Sequence, residues 1–301
     1  MRLYEGTVAD FNAAVSNNLL ADKLAENYRS YYRRSAGESE HRSWQHSSQY
    51  LKNSFEASSL TDNKLLLEYE LPYSSRRIDA LLFGSDSAMK SSVVLIELKQ
   101  WSNENVQDAA AEGNINVDYG RFIKEVAHPS LQVEGYHFDL KDFLKIFEDK
   151  DPPRLSSAAY CHNYARLKEP RILFSEKFES LLENFPIFAK EDTVALGTYL
   201  RERLANGSGV EVFGRFITSP VRPSKKLLEH TGEMVNKQQV FTLIDDQIAA
   251  YNAIMHRVKA LAKVKKKSVV IVKGGPGTGK SVIALEVMGE LLRQEKSVVH
   301  A

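Results

Sequence analysis

The sequence predicts an α/β protein whose core has the element order αβββαβ, and three observations support this prediction. Two runs at 77–83 and 92–99 are too short for helices and rich in Ile, Leu and Val, as is typical of strands. Apolar residues at helical spacing precede these runs at 38–55 and follow them at 128–147. Near the C-terminus, a strand-like run, a glycine-rich loop and a helix-like run follow one another between residues 268 and 292.

Length and composition limit the function classes. A chain of 301 residues has room for about two domains of roughly 150 residues. Forty Lys and Arg against 39 Asp and Glu leave a net charge of +1, so contact with nucleic acid depends on local patches. The single cysteine, Cys161, excludes an internal disulfide and an iron–sulfur cluster. No run of eighteen apolar residues and no signal peptide is present, so we expect a cytoplasmic protein without a membrane partner.

The predicted core begins with helices. Residues 8–34 form a helical lead-in, and a second helix over 38–55 places Glu40 in its first turn, where the helix dipole favours an acid. Strands then follow at 64–71, 77–83 and 92–99. Glu68 and Glu70 on the first of these strands are expected to be solvated.

The second and third strands carry the residues that suggest chemistry. A turn-rich gap connects them, so Asp79 and Glu97 can face each other across neighbouring strands. Glu97 and Lys99 share one face because side chains alternate along a strand, whereas Leu98 faces the opposite layer. Two carboxylates and a backbone carbonyl suit Mg²⁺, and a lysine beside them can orient water or stabilise a phosphate. This pattern suggests metal-assisted cleavage of phosphodiester bonds.

Residues 102–118 are predicted to form a loop or a short helix. The helix that starts at His128-Pro129 places Gln132 and Tyr136 four residues apart on one face, from which both can reach a phosphate or a metal-bound water. A final strand of the core is expected near 155–164.

The sequence resembles the PD-(D/E)XK nucleases at these positions. Asp79 matches the Asp of that family, Glu97-Leu98-Lys99 matches its Glu-x-Lys, and Gln132 with Tyr136 resembles the Gln-x-x-x-Tyr signature of the RecB-type branch. The resemblance implies a nuclease that depends on Mg²⁺ or Mn²⁺ and acts on nucleic acid, with DNA favoured over RNA. It implies catalytic roles for all of these residues and for Glu40. The implied metal ligands are Glu40, Asp79, Glu97 and the backbone carbonyl of Leu98.

The C-terminal part carries a second motif. Residues 166–236 are predicted to form a helical connector, and an amphipathic helix around 245–261 precedes the strand at 268–273. The loop after this strand has the pattern G-x-x-x-x-G-K-S, which wraps phosphates with backbone N–H groups at a helix N-terminus. The predicted ligands of ATP and its Mg²⁺ are Gly274, Gly275, Pro276, Gly277, Thr278, Gly279, Lys280 and Ser281.

The helix before this loop resembles the adenine-binding element of superfamily 1 helicases, which assigns Gln247 to the base. The whole chain resembles bacterial nuclease–helicase proteins with a Schlafen-type DNA/RNA helicase domain. The implied domains are a nuclease at 1–165, the connector at 166–236 and the first β–P-loop–α–β unit of a RecA-like domain at 237–301. Because later ATPase motifs are missing, we expect only the front of the motor, without ATP turnover.

Two alternatives stay open at this point. The chain can be a non-catalytic regulatory module that binds nucleic acid and nucleotide, or a fragment of a larger ATPase that is inactive alone. Strandedness of the substrate, biological role and oligomeric state stay open as well.

Overall fold

The computed structural model describes residues 1–71, 76–110, 113–222, 245–264, 269–274 and 280–298. The chain divides into two compact units, Met1–Pro220 and Val221–Ala301. The described strands are β1 (Tyr4–Thr7), β2 (Lys64–Glu70), β3 (Arg77–Ser85), β4 (Ser91–Lys99), β5 (Val106–Asp108), β6 (Asn114–Asp118), β7 (Ile123–Ala127), β8 (Arg154–Cys161) and β9 (Ile187–Ala189). The described helices are α1 (Val8–Ser16), α2 (Leu20–Tyr32), α3 (Glu38–Ser58), α4 (Pro129–Phe143), α5 (Glu179–Asn184), α6 (Thr193–Leu204), α7 (Val210–Ile217), α8 (Asp245–Val264) and α9 (Lys280–Arg293).

The first unit is built around a six-stranded sheet with the order β1-β2-β3-β4-β8-β9. The first four strands pair antiparallel, whereas β8 pairs parallel with β4 and β9 pairs parallel with β8. A parallel pair needs a long crossover, and the segment with β5–β7 and α4 supplies it between β4 and β8. The mixed α/β architecture predicted from the sequence is therefore confirmed.

Helices cover both faces of this sheet, which explains why its central strands are apolar almost without interruption. In β4, Val94 and Ile96 pack in a cluster with α1, α2, α3 and α6. Val93 and Leu95 alternate with them and pack with α4 and α7 on the opposite face. The two helices that carry predicted site residues, α3 and α4, therefore lie on opposite layers.

Helix starts follow local capping chemistry. Thr7 and Asp10 form a capping box at the start of α1, with the Thr7 side chain accepting from the Asp10 N–H at 3.1 Å. Pro129 occupies the first turn of α4, as the sequence predicts, and His128 caps this helix by accepting from the Ser130 N–H.

Residues 102–118 differ from the prediction of a loop or short helix. They contribute β5 and β6 to a three-stranded antiparallel sheet that β7 completes. The prediction was wrong because the alternation is short: in β6 only Ile115 and Val117 are buried, between polar neighbours, and in β5 only Val106 is buried. Residues 166–220, assigned to a connector from the sequence, lie in the first compact unit, where β9 extends the sheet and α6 packs on α3.

In the second unit, α8 and α9 pack against each other. Residues 269–274 form neither helix nor strand, although a strand is predicted there, and Val269 and Ile271 are 85% and 74% exposed. A strand needs a neighbour for its backbone hydrogen bonds, and no described residue provides one here.

No helix among the described residues has the length and apolar character needed to cross a membrane.

Candidate active site

The centre of the site is the point where β3 and β4 separate. Their ladder ends at the pair Ala80–Ile96, although both strands continue beyond it. Asp79 and Glu97 are the next residues on the two strands. The Asp79 carboxylate accepts a hydrogen bond from the Leu98 N–H, with 2.7 Å between Oδ2 and N. A side-chain oxygen thus replaces the backbone acceptor that a continued ladder would supply.

Glu97 is the most connected residue of the site and is 4% exposed. Its Oε1 accepts from Lys99 Nζ at 2.7 Å and from Gln132 Nε2 at 2.8 Å. The Gln132 amide also donates to the Tyr136 hydroxyl oxygen at 2.6 Å. The structure therefore brings four predicted residues from β4 and α4 into one hydrogen-bonded group. The second oxygen of Glu97, Oε2, is buried and has no partner among the described residues.

Burial and like charge act together on Asp79. Burial raises the pKa of its carboxyl well above the ordinary value, and the negative charges of Glu97 and Glu68 raise it further. Burial lowers the pKa of Lys99, but the charges of Glu97 and Asp79 outweigh that effect and raise it. Lys99 consequently stays a cation at neutral pH. Burial, followed by the charge of Glu97, raises the pKa of Tyr136 to about 12, so its hydroxyl keeps its proton.

These features fit a divalent cation. No group of three or more His, Cys, Asp or Glu side chains in the described ranges is arranged as a metal site. Asp79 and Glu97 nevertheless repel each other in a buried setting, and the Glu97 Oε2 atom lacks a partner. A cation held by these two carboxylates and the Leu98 carbonyl would remove both costs, since hard cations prefer oxygen ligands.

A cavity of about 80 Å³ lies beside Asp79, between α3 and the sheet. Trp44 and Ser47 of α3, together with Glu68, contribute to its lining. Its volume and polar lining suit a few water molecules. The site thus has room for solvent next to the Asp79 carboxylate.

Glu40 lies in a different group of contacts. Its carboxylate accepts from Arg77 Nη2, and Arg77 Nε lies 3.3 Å from Glu68 Oε2. Trp44 Nε1 donates to the other Glu68 oxygen at 2.7 Å. The sequence assigned Glu40 and Gln132 to one site, but the helices that carry them, α3 and α4, cover opposite faces of the sheet.

The structure also differs from the prediction for Glu68, which was expected to be a solvated charge on its strand. It is 9% exposed and has a left-handed backbone with φ of 54°, so it leaves the regular alternation of β2 and reaches Trp44. Burial raises its pKa to about 7, although Arg77 and Trp44 oppose the shift. Sequence reasoning missed Arg77; its position two residues before Asp79, on the same strand, was the available signal.

The glycine-rich loop of the second unit is described only at its edges. Gly275, Pro276, Gly277, Thr278 and Gly279 lie outside the described residues, as does the side chain of Ser281. Lys280 begins α9, and its ammonium donates to the Gly274 carbonyl at 2.9 Å. Gln247 is half-buried in α8.

The comparison with protein families concerns this second unit. Residues 267–301 match the family model described as Schlafen group 3, DNA/RNA helicase domain. No curated protein and no solved structure matches the chain. The match contains the whole glycine-rich loop and α9, and it supports a Schlafen-type helicase fragment related to nucleic acid. The matched residues are 35 of the 301, and none of them lies in the first unit.

Proposed function

We propose that residues 1–220 form a metal-dependent nuclease that cleaves phosphodiester bonds, preferentially in DNA, and that the second unit belongs to an ATP-driven helicase motor. The observation that carries this proposal is the buried group in which Asp79, Glu97 and Lys99 meet where β3 and β4 separate. The helicase-type family match adds support for a nucleic-acid substrate.

The chemistry follows from what each side chain can hold. A bound Mg²⁺ or Mn²⁺ would supply an activated water and neutralise charge on the phosphate. Asp79, Glu97 and the Leu98 carbonyl would hold this ion. Lys99 keeps its positive charge and lies 2.7 Å from Glu97, so it can orient a phosphate oxygen or the attacking water beside the ion.

Gln132 and Tyr136 act as positioning groups on α4. The Gln132 amide donates to both Glu97 and Tyr136, and thereby fixes the orientation of the Glu97 carboxylate. The neutral Tyr136 hydroxyl can donate a hydrogen bond to a substrate phosphate. Glu40 forms an ion pair with Arg77, which lies on β3 two residues before Asp79. In this proposal Glu40 acts on the site only indirectly, through Arg77.

In the second unit, we propose that Gly274 to Ser281 bind ATP with Mg²⁺ and that Gln247 contacts the adenine. The exposed Lys280 ammonium would leave the Gly274 carbonyl and bind the phosphates instead.

The test is cleavage of a panel of single- and double-stranded DNA and RNA with Mg²⁺ or Mn²⁺. Wild-type protein should cut at least one substrate, lose this activity in EDTA and regain it when the metal is restored. Lys99→Ala should slow cleavage by about 100-fold or more, since it removes a charge aimed at the reacting phosphate. Lys150→Ala is the control because Lys150 is exposed on the same unit.

Circular dichroism and melting curves check that each variant is folded. The check is needed because Lys99→Ala leaves the buried Glu97 carboxylate without its ion pair. Glu97→Gln provides a second variant that removes this charge. Cleavage by well-folded Lys99→Ala and Glu97→Gln proteins at the wild-type rate would refute the active-site assignment. Binding without cleavage by wild-type protein on every substrate would favour the non-catalytic regulatory module.

A further inference from the structure

The hairpin formed by β6 and β7 ends in a tight and well-defined turn. The Tyr119 N–H donates to the Phe122 carbonyl at 3.0 Å, which leaves Gly120 and Arg121 as a two-residue loop. Gly120 has φ of 79°, a conformation that this kind of turn requires and glycine adopts without strain. The Asp118 carboxylate accepts from the Gly120 N–H at 2.7 Å and secures the turn further.

This turn presents two aromatic rings to solvent. Tyr119 and Phe122 stack on each other with 5.3 Å between their centroids and 26° between their planes. They are 47% and 58% exposed, and neighbouring Ile123 is 56% exposed. Because the turn holds both rings in place, a flat partner that stacks on them would require little ordering of the protein.

Two cations and two acids lie at this tip. Arg121 and Lys124 are exposed, and neither has an ion-pair partner among the residues that the structure describes. The nearby acids are engaged locally, since Asp118 binds the turn and Glu125 accepts from Asn114 Nδ2 at 2.7 Å. Two cations beside stacked rings suit a polymer with both negative charges, which the cations would bind, and flat aromatic groups, which would stack on the rings.

The hairpin is also connected directly to the candidate active site. At its base, the His128 N–H donates to the Gly113 carbonyl, and α4 starts at the next residue. Gln132, which binds Glu97, lies in the first turn of that helix. Five-residue strands span about 17 Å, so the tip lies within several nucleotides of the site.

We propose that Tyr119 and Phe122 form a stacking platform for an unpaired base of the nucleic-acid substrate, with Arg121 and Lys124 binding the adjacent phosphates. Every base has a face that can stack on an aromatic ring, but in a duplex this face is covered by the neighbouring base pairs. The platform therefore selects single-stranded DNA or RNA, or the single-stranded part of a branched or tailed substrate. This inference rests on the proposed nuclease function, since the platform would hold the substrate of that nuclease. Its test measures binding alone and does not require cleavage.

The experiment measures binding by fluorescence anisotropy in EDTA, with the full chain carrying Lys99→Ala so that nothing is cut. The probes are a labelled mixed-sequence DNA strand of about 20 nucleotides and the blunt duplex of the same sequence. Tyr119→Ala with Phe122→Ala should weaken single-strand binding about tenfold or more and change duplex binding less than about twofold. Tyr119→Phe with Phe122→Tyr should retain binding, because both rings stay.

Tyr31→Ala is the matched control, since Tyr31 is an equally exposed aromatic residue of the same unit, at 59%. Unchanged single-strand affinity in the double alanine variant, or no detectable binding by the parent protein, would overturn the proposal. Self-association of the parent that the double alanine variant loses, measured by light scattering, would also overturn it and assign the rings to a contact between copies.

The two proposals can fail separately. Tip-dependent binding without any metal-dependent cleavage would remove the nuclease and keep the platform. Cleavage that the tip variants leave unchanged on single strands would remove the platform and keep the nuclease.

Discussion

Lowering the pH from about 7.5 to about 5 should destabilise the first unit through His128. Its ring is fully buried, stacks on Phe178 with centroids 3.8 Å apart, and donates from Nε2 to the Leu173 carbonyl at 3.2 Å. Burial lowers its pKa from 6.5 to about 4, a shift that the Leu173 carbonyl opposes and Lys177 assists. Protonation would place a cation in this apolar setting.

The sign and size follow from proton linkage. The unfolded chain binds a proton at His128 near pH 6.5 and the folded chain near pH 4, so the contribution to stability is complete above about pH 6.5 and is lost as the pH falls. These two pKa values give a loss of about 2 kcal/mol in the free energy of unfolding at about pH 5. That is a large part of the stability of a typical domain.

Tryptophan fluorescence during urea unfolding measures this effect. Trp44 and Trp101 are the only two tryptophans and both lie in the first unit, so the signal reports on that unit alone. Other groups also titrate: the raised pKa of Glu68, for example, favours the folded state as the pH falls. The difference between wild type and His128→Asn isolates the histidine.

Asparagine keeps an acceptor for the Ser130 N–H at the start of α4 but cannot titrate. Losing the stack on Phe178 should make this variant less stable at pH 7.5, and the gap to wild type should shrink by about 2 kcal/mol at about pH 5. A gap that stays constant across this range would refute the reasoning.

Three further predictions concern both units. Asp79→Asn should replace a carboxyl whose charged form is disfavoured by burial and by the charge of Glu97, keep the acceptor for Leu98 and raise the melting temperature by roughly 2–8 °C in EDTA at about pH 7.5, while abolishing cleavage; a lower melting temperature would contradict the proposed repulsion. Gly209→Ala should cost at least about 2 kcal/mol in urea unfolding, because φ is 73° and an added Cβ would lie 2.3 Å from the Phe83 carbonyl carbon. Gly214→Ala, where a Cβ meets nothing within 4 Å, is its control and should be neutral or stabilising. Lys280→Ala should weaken ATP binding in calorimetry and leave cleavage of a short oligonucleotide unchanged, and a loss of cleavage would show that the nuclease depends on the nucleotide site.

The sequence predicted the central strands and the two long helices of the first unit because their signals are long and continuous. β2, β3 and β4 are apolar runs, and α3 and α4 have apolar residues at helical spacing. The proximity of Glu97 and Lys99 follows from alternation along one strand, and their contact with Gln132 requires only that α4 covers that face.

Other features depend on tertiary contacts that leave no local signal. The left-handed conformation of Glu68 accompanies its hydrogen bond from Trp44, and no sequence rule places a glutamate there. The ion pair of Arg77 with Glu40 joins a strand to a helix that precedes it by 37 positions. Stretches such as β5–β7 are too short and too polar for their alternation to be distinguished from a loop.

The three-stranded sheet formed by β5, β6 and β7 has a consequence for how the sequence of such a chain can change in evolution. It leaves the main sheet just after Lys99 and rejoins the fold at α4, and the Glu97–Gln132 hydrogen bond holds its two ends together. Lengthening a closed loop is inexpensive, since doubling it costs only about 0.6 kcal/mol. In the proposed nuclease, the hairpin can therefore grow, shrink or change its tip residues while Asp79, Glu97 and Lys99 stay fixed, so target preference and catalytic rate can vary under separate selection.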